Sequence, residues 1–436
     1  MTTVSKSSPR RAILVACLAN GIEWYDFAVY GAMSSVLVLV LFRPGAGPAG
    51  LVGVFALFAT SFLARPVGAL LVGLRADRFG RRRALAMMVL LMSATTSAIG
   101  LLPSWSAVGV AAPLGLVFLR LMQGFASGGG ISASITFLVE SAPRGAWGRC
   151  GGWHTATMAM GIATGIGVAG VVSAVLSTDD LEHWGWRLPF LVALPLGMVG
   201  LYVRLRLDET ADFVAAEVRD VPTLRLVWRS HGRTIRTGFF LVAVLAGTFN
   251  LWFVYLPSHL AVEHIHRLPV GLGCATGGLL ATAAVSPLLG ALSDRVGRRP
   301  LMVTSTVTLG LLVLPLYFLA TQGPWVGLLV ADVVVGASLG GLVISAHLAE
   351  CFPVSVRATG IALTVGLASA LVGGTAPLVG SLLTASGASI GIPAYVAGLS
   401  VAALVAALRT PSGVQVGATR VPPTPTSPLA RGTHNG

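Results

Sequence analysis

Long apolar runs, each broken only by a short polar joint, follow one another along nearly the whole chain. Stretches such as Ala107–Leu119 and Gly310–Ala320 hold no charged residue. A helix on the surface of a water-soluble domain would carry a polar stripe, and these carry none. The joints divide the sequence into helices expected over 12–41, 50–75, 84–103, 107–139, 148–176 and 186–205, then 236–262, 269–293, 301–321, 325–350, 357–386 and 390–408. Crossing a hydrocarbon core takes about 20 apolar residues, so the pattern predicts an all-α integral membrane protein of twelve transmembrane helices.

Between the sixth and seventh helices, the stretch 207–235 mixes acidic and basic residues and has no long apolar run. It reads as a cytoplasmic linker, with a surface helix as an option, joining an N-terminal half (1–206) to a C-terminal half (236–409). Residues 410–436, with PSG and PPTPTSP, are too polar and proline-rich to bury anything and are expected to form a disordered cytoplasmic tail. Arg10 and Arg11 precede an apolar run as in a twin-arginine signal. Glu23 and Asp26 interrupt that run and no small-residue cleavage site follows, so it is taken as the first transmembrane helix.

Composition agrees: 55% of the 436 residues are hydrophobic, 10% are charged and the mean hydropathy is +0.83. The formal net charge of +13 would suggest nucleic acid in a soluble protein, but the arginines sit at alternate loops. Even-numbered connections hold Arg75, Arg78 and Arg81–Arg83, then Arg144 and Arg149, then seven arginines from Arg204 to Arg236, then Arg295, Arg298 and Arg299, then Arg357. Odd-numbered ones hold Arg43, the acids Asp179, Asp180 and Glu182, and the pair Glu263 and Arg267. Positive loops stay in the cytoplasm, so both termini are expected there and no nucleic-acid partner is. Lys6 is the lone lysine, which points toward a GC-rich bacterial genome and hence the inner membrane. Cys17, Cys150, Cys274 and Cys351 stand far apart with no metal or redox spacing and read as packed thiols. The chain shows no Walker-type loop and no HExxH, so neither cofactor, metal nor enzymatic activity is expected.

The polar residues inside the spans carry the chemistry, because an ionisable group at depth costs at least a few kcal/mol without a partner, a water cavity or a function. Asn20, Glu23, Asp26 and Tyr30 follow one another at steps of three or four and share a face of the first helix. Glu23 and Asp26 are candidate reversible proton sites; a permanent structural ion pair is the other reading. Arg65 and Arg120 are buried cations whose guanidinium can fork onto a carboxylate. For Arg120 an internal carboxylate is expected; for Arg65 substrate contact and helix anchoring stand level. Gln123, His154, Asn250 and Asp332 are single polar residues in apolar spans that suit interhelical hydrogen bonds and are also the groups available to line a cavity. His347 and Glu350, near a cytoplasmic end, are weaker candidates. Glycines clustered at Gly161, Gly165, Gly167 and Gly170, and at Gly336, Gly340 and Gly341, suit close helix packing.

One loop occurs twice. GLRADRFGRRR at Gly73–Arg83 returns as GALSDRVGRR at Gly290–Arg299, each time where one apolar run gives way to the next. Gly73, Asp77, Arg78, Gly80 and Arg81, with Gly290, Asp294, Arg295, Gly297 and Arg298, are read as cytoplasmic latches. A carboxylate favours a helix N-terminus and can grip one and release it as helices separate.

This duplicated loop resembles that of the major facilitator superfamily. Further stretches are similar to its metabolite:proton symporters, the relatives of proline/betaine, α-ketoglutarate, citrate and shikimate carriers. They are EWYDF at Glu23–Phe27 with Tyr30 and Gly31, FLARPVG at Phe62–Gly68, RLMQGFASGG at Arg120–Gly129, VESAP at Val139–Pro143 and WGWRLPF at Trp184–Phe190. AECFPVSVRATG at Ala349–Gly360 and GGTAP at Gly373–Pro377 add to them, and the resemblance spans about 12–408. It implies two pseudo-symmetric six-helix halves rocking about a midplane site. It also implies proton coupling through Glu23, Asp26, Arg65 and Arg120. The family's usual Glu after the double glycine is here Gly130. The expected function is proton-coupled symport of a small carboxylate-bearing or zwitterionic metabolite; the alternative is a proton-coupled antiporter exporting a metabolite or drug. Its partners would be the lipid bilayer, protons and a small-molecule substrate.

Overall fold

Lipid offers backbone N–H and C=O groups no partner, so a chain that crosses it must bond within each helix or close into a barrel. The apolar runs of this chain form helices. The computed structural model describes residues 9–43, 45, 47–79, 81–128, 130, 134–136, 138, 142, 143, 145–205, 224–353 and 356–410, excepting the side chains of 9–19, 47, 48, 67, 69–79, 81–86, 203–205 and 224–226. The stretch read as a tail beyond residue 410, and 206–223 of the linker, lie outside the described residues.

In chain order, α1 runs Pro9–Ala32 and, past a 58° bend at Met33, Ser34–Leu41; α2 is Gly47–Phe79 and α3 Arg81–Gly100. The next are α4 (Ala111–Ala126), α5 (Trp147–Val175) and α6, which ends in Ala193–Leu205. Helix α7 begins at Leu224, inside the stretch read as linker, and reaches Val262 through a π-helical segment, Asn250–Tyr255. The last five are α8 (Leu268–Val296), α9 (Arg298–Gln322), α10 (Trp325–Gly340 and Ile344–Cys351), α11 (Arg357–Ala368 through Ala376–Ala385) and α12 (Gly391–Leu408). Among the described residues nine of these helices are long and apolar enough to cross a membrane, ten with the bent α1, and the described parts of α3 and α4 are shorter apolar helices.

Helix α6 starts earlier than its apolar pattern predicts. Ser177 caps Thr178–Asp180 through its side chain, and a π turn at Leu181–Gly185 carries the acidic residues into the helix. In α10 the break lies at Val343, a buried β-branched residue held at φ +42°, a conformation that persists only where its surroundings over-determine it.

The side-chain distribution is that of a protein in lipid. Val175, Leu288 and Leu311 are 77%, 69% and 71% exposed, while small and polar residues face inward. Helices meet through these small residues. A side-chain carbon on Gly161 of α5 would strike the backbone of Gly21 in α1, and one on Gly336 of α10 the backbone of Gly278 in α8.

The halves touch at both ends of the bundle. At the end carrying the arginine-rich loops, α5 lies against α8 and α10, with Gly148 facing Gly290 and Gly151 facing Ala346. At the other end Ser34 and Ser258 share a 2.7 Å hydrogen bond between α1 and α7, and Phe55 of α2 meets Tyr255 of α7 edge-on at 5.4 Å. Phe62 of α2 fills the space over Gly374 of α11.

Candidate functional site

Between these two closures lies a buried polar cluster built on α1 to α4. Its geometry begins with α2 and α4, which run backbone to backbone: a side-chain carbon on Gly124 would meet the Ser61 carbonyl, and one on Gly68 the Phe125 carbonyl. The FLARPVG and RLMQGF stretches are therefore two sides of one contact, and it brings Arg65 and Arg120 into the same neighbourhood.

Arg120 is fully buried. It donates from Nη1 to Gln123 Oε1 at 2.8 Å and from Nη2 to the Phe58 carbonyl at 3.3 Å, with Tyr30 and Phe58 rings 4.0 and 5.0 Å from the guanidinium carbon. Among the described residues Arg120 has no partner of the carboxylate kind expected; an amide and a carbonyl take its place. Gln123 passes the network on, donating to Thr96 Oγ1 at 2.7 Å. Thr96 in turn lies alongside Asp26. Asp26 is 2% exposed and accepts from Ser93 Oγ at 3.2 Å. Asp26 and Arg120 thus both bear on α3, Asp26 through Ser93 and Arg120 by way of Gln123 and Thr96, with no direct pair between them among the described residues.

Arg65 is stacked on aromatic rings, its guanidinium carbon 4.4 Å from Phe27 and 4.0 Å from Phe62. A buried cation on a ring face gains roughly 0.5–2 kcal/mol. Tyr30 holds its own place by donating to the Val54 carbonyl at 2.8 Å. Glu23 is half-buried, and its carboxylate lies against Gly130: a side-chain carbon there would come within 2.6 Å of Oε2 and 2.8 Å of Cδ.

The remaining polar candidates separate from this cluster. Asn20 clamps α1 to α5, donating to the His154 carbonyl and to Thr157 Oγ1, each at 3.2 Å. His154 reaches across the halves, with Nδ1 3.2 Å from Ser345 Oγ of α10. Asn250 donates to Ala246 within its own helix, and Asp332 accepts from Trp252 Nε1 at 2.8 Å. Among the described residues no group of three His, Cys, Asp or Glu side chains could hold a metal.

The second copy of the repeated loop bridges the two halves. Asp294 accepts the N–H groups of Gly148 and Arg149, at 2.7 and 2.9 Å, from the first turn of α5. Arg298 donates to Asp294 at 2.8 Å and forks onto Glu350 of α10. Gly297 joins α8 to α9 at φ +91°, which suits glycine alone. Arg295 points outward, exposed, so Arg298 is the arginine that braces the carboxylate. In the first copy the backbone places Gly73, Asp77 and Arg78 on α2 and Arg81 on α4's neighbour α3; their side chains, and Gly80 altogether, lie outside the described residues.

Sequence reasoning passed over Phe27, Phe58 and Phe62. Their signal was present, since Phe55, Phe58 and Phe62 follow the three-four step of a helix face. It also passed over Ser93 and Thr96, ordinary hydroxyls on an apolar helix. In WGWRLPF the arginine is structural: Arg187 Nη1 donates to the Gly100 and Leu102 carbonyls, both at 2.9 Å, closing the end of α3.

Residues 12–223 match the family described as Sugar (and other) transporter, and residues 239–432 that described as Major Facilitator Superfamily. The chain is 31% identical over 412 residues to the proline/betaine transporter of Salmonella typhimurium, covering 91% of this chain and 82% of that one. To the alpha-ketoglutarate permease of Escherichia coli it is 29% identical over 419 residues, covering 93% and 95%. The solved structure of the proton:xylose symporter XylE bound to 6-bromo-6-deoxy-D-glucose superposes with a TM-score of 0.73 at 18% identity, over 92% of this chain and 94% of that one. At that identity the likeness concerns the fold.

Proposed function

Because this chain belongs to the major facilitator superfamily, among its metabolite:proton symporters, and is a membrane transporter rather than an enzyme, we propose that it takes up a small carboxylate-bearing or zwitterionic metabolite together with protons. The observation that carries this reading is Asp26, buried at the depth of Arg120 and held by a hydroxyl. A hydroxyl can donate to a carboxylate and accept from a carboxylic acid. The Ser93 contact therefore serves either protonation state, which is what a reversible proton carrier needs.

Alternating access supplies the rest. The membrane is the bacterial inner membrane, with the latch loops and both termini in the cytoplasm. Opening toward the cytoplasm breaks the Asp294 contact with α5; opening to the outside breaks Ser34–Ser258 and withdraws Phe62 from Gly374. A proton on Asp26 lowers the charge that must cross. Each inward proton carries about 2.3 kcal/mol per 100 mV, enough for roughly fortyfold accumulation of a neutral co-substrate. The substrates for which the relatives are named, proline, betaine and alpha-ketoglutarate, share a carboxylate, and two buried guanidiniums in the centre suit one.

The test is uptake of radiolabelled glycine betaine, proline, 2-oxoglutarate and shikimate into proteoliposomes under an imposed proton gradient. Uptake that needs acid outside and is lost in Asp26→Asn is expected. Efflux of preloaded solute against an inward proton gradient, with no uptake, would replace symport by export.

A further inference from the structure

Asp26 is closed in, and a proton that rides on it has to be handed on before the empty carrier can return. The next acid along α1 is Glu23. The two stand three residues apart on one helix face, a spacing that sets their Cβ atoms about 5–6 Å apart. Their surroundings differ. Asp26 is 2% exposed and its carboxylate is held by Ser93, whereas Glu23 is half-buried. The change falls between them: Gly21, Ile22, Glu23 and Trp24 are all partly exposed, and every residue from Tyr25 to Val38 is buried.

Glu23 also reaches in a useful direction. Long side chains on a helix lean back toward its N-terminus, and with the N-terminus of α1 in the cytoplasm that direction is inward. The contact with Gly130 agrees. The Glu23 carboxylate lies where a side chain on Gly130 would begin, and Gly130 comes ten residues after Arg120 on a segment heading for the cytoplasmic loop at Arg144. The Asp26 carboxylate sits at the depth of Arg120, and that of Glu23 lies beyond it on the cytoplasmic side.

A fixed ion pair with Arg65 would be the other use of Glu23, and its charge acts on Arg65 as it does on Asp26. Yet Nε and Nη2 of Arg65 have no acceptor among the described residues, so that edge does not hold the Glu23 carboxylate. The absent side chain at position 130 leaves the carboxylate its place.

We propose that Glu23 is the inward relay for the proton that Asp26 carries. Once the cytoplasmic side opens, the Asp26 carboxylic acid gives its proton to a Glu23 carboxylate oxygen, directly or through one water, leaving Asp26 a carboxylate and Glu23 the acid. Glu23 then gives that proton to cytoplasmic water and is a carboxylate again, so one proton enters the pair and one leaves it. This rests on the symport reading with Asp26 as carrier and adds the step that completes its cycle.

The test separates net uptake from exchange. Net uptake needs the empty carrier to return without its proton. Exchange of labelled for unlabelled solute does not, because the loaded carrier moves back with the proton still on Asp26. Both are measured on the full chain in proteoliposomes with glycine betaine, proline, 2-oxoglutarate and shikimate. Glu23→Gln should lower proton-driven net uptake about a hundredfold, the lower end of what a positioned proton-transfer group contributes, and leave exchange within about twofold of wild type. Glu23→Asp, which keeps the carboxylate on a shorter arm, should recover part of the net uptake.

Preserved exchange also shows that Glu23→Gln is folded; should it fail to fold, Gly130→Ala, which displaces the same carboxylate, should show the same split. Normal net uptake in Glu23→Gln, or exchange lost together with uptake in folded protein, would overturn the relay and leave symport through Asp26 standing. Net uptake that survives in Asp26→Asn would sink the Asp26 reading and the relay with it. Absence of proton-driven uptake of all four solutes by wild type would do the same.

Discussion

Asp294→Ala should loosen the latch between the halves by an amount that follows from three bonds. The Asp294 carboxylate accepts from Gly148 and Arg149 at 2.7 and 2.9 Å and from Arg298 at 2.8 Å. The Arg298 bond lies within the C-terminal half, as does the fork of Arg298 onto Glu350, so neither distinguishes a closed latch from an open one. The two backbone bonds cross between halves. Hydrogen bonds to a charged group contribute about 1.5–3 kcal/mol each, and water recovers part of this when the latch opens. Taking the lower figure for both gives about 3 kcal/mol, on the order of a hundredfold in the closed-to-open ratio.

The chain supplies its own reporter. Cys150, 8% exposed, lies in the first turn of α5 and close enough to Asp294 to feel its charge. With Cys17, Cys274 and Cys351 replaced by serine, the alkylation rate of Cys150 by N-ethylmaleimide reads how often the latch opens. Asp294→Ala should raise that rate on the order of a hundredfold. Asp294→Asn, which keeps an acceptor without its charge, should fall between, and the exposed Arg295→Ala should leave it alone. An alkylation rate in Asp294→Ala within about twofold of the parent, less than 0.5 kcal/mol, would refute the reasoning.

Two glycines give further tests with opposite signatures. Gly130→Ala places a carbon against the Glu23 carboxylate, the far end of a flexible side chain that can move aside; uptake should fall about tenfold or more with the melting temperature in detergent unchanged, and normal uptake would show that Glu23 does not work from that position. Gly124→Ala instead drives a carbon into the Ser61 carbonyl between α2 and α4. Overpacking of this kind costs about 1–3 kcal/mol, so its melting temperature should drop, while Gly366→Ala, with nothing within 4 Å, serves as the neutral control.

Much of the architecture was legible in the order of the residues. In a membrane each helix must satisfy its own backbone, so apolar run length alone locates the spans, and helices α2, α5, α8 and α9 begin and end within a few residues of the expected positions. The duplicated loop, the charged residues of α1 and the two buried arginines were equally visible, because charge in lipid is conspicuous. A helical period tells which residues share a face. It does not tell which neighbour that face meets.

That second question was decided by small residues letting particular helices approach. The close contact at Gly124 and Gly68 sets α4 beside α2, and Arg120 therefore meets Gln123 and Phe58 instead of an acid. The same contact leaves Arg65 among aromatic rings, its Nε and Nη2 buried without an acceptor among the described residues. Packing of α5 on α8 carries Asp294 to backbone groups 146 residues earlier in the chain. Sequence by itself determined what this protein is made to cross and which groups it carries into the membrane. Only the tertiary structure determined which neighbours those groups meet, because helix approach is set by small residues whose partners a helical period does not name.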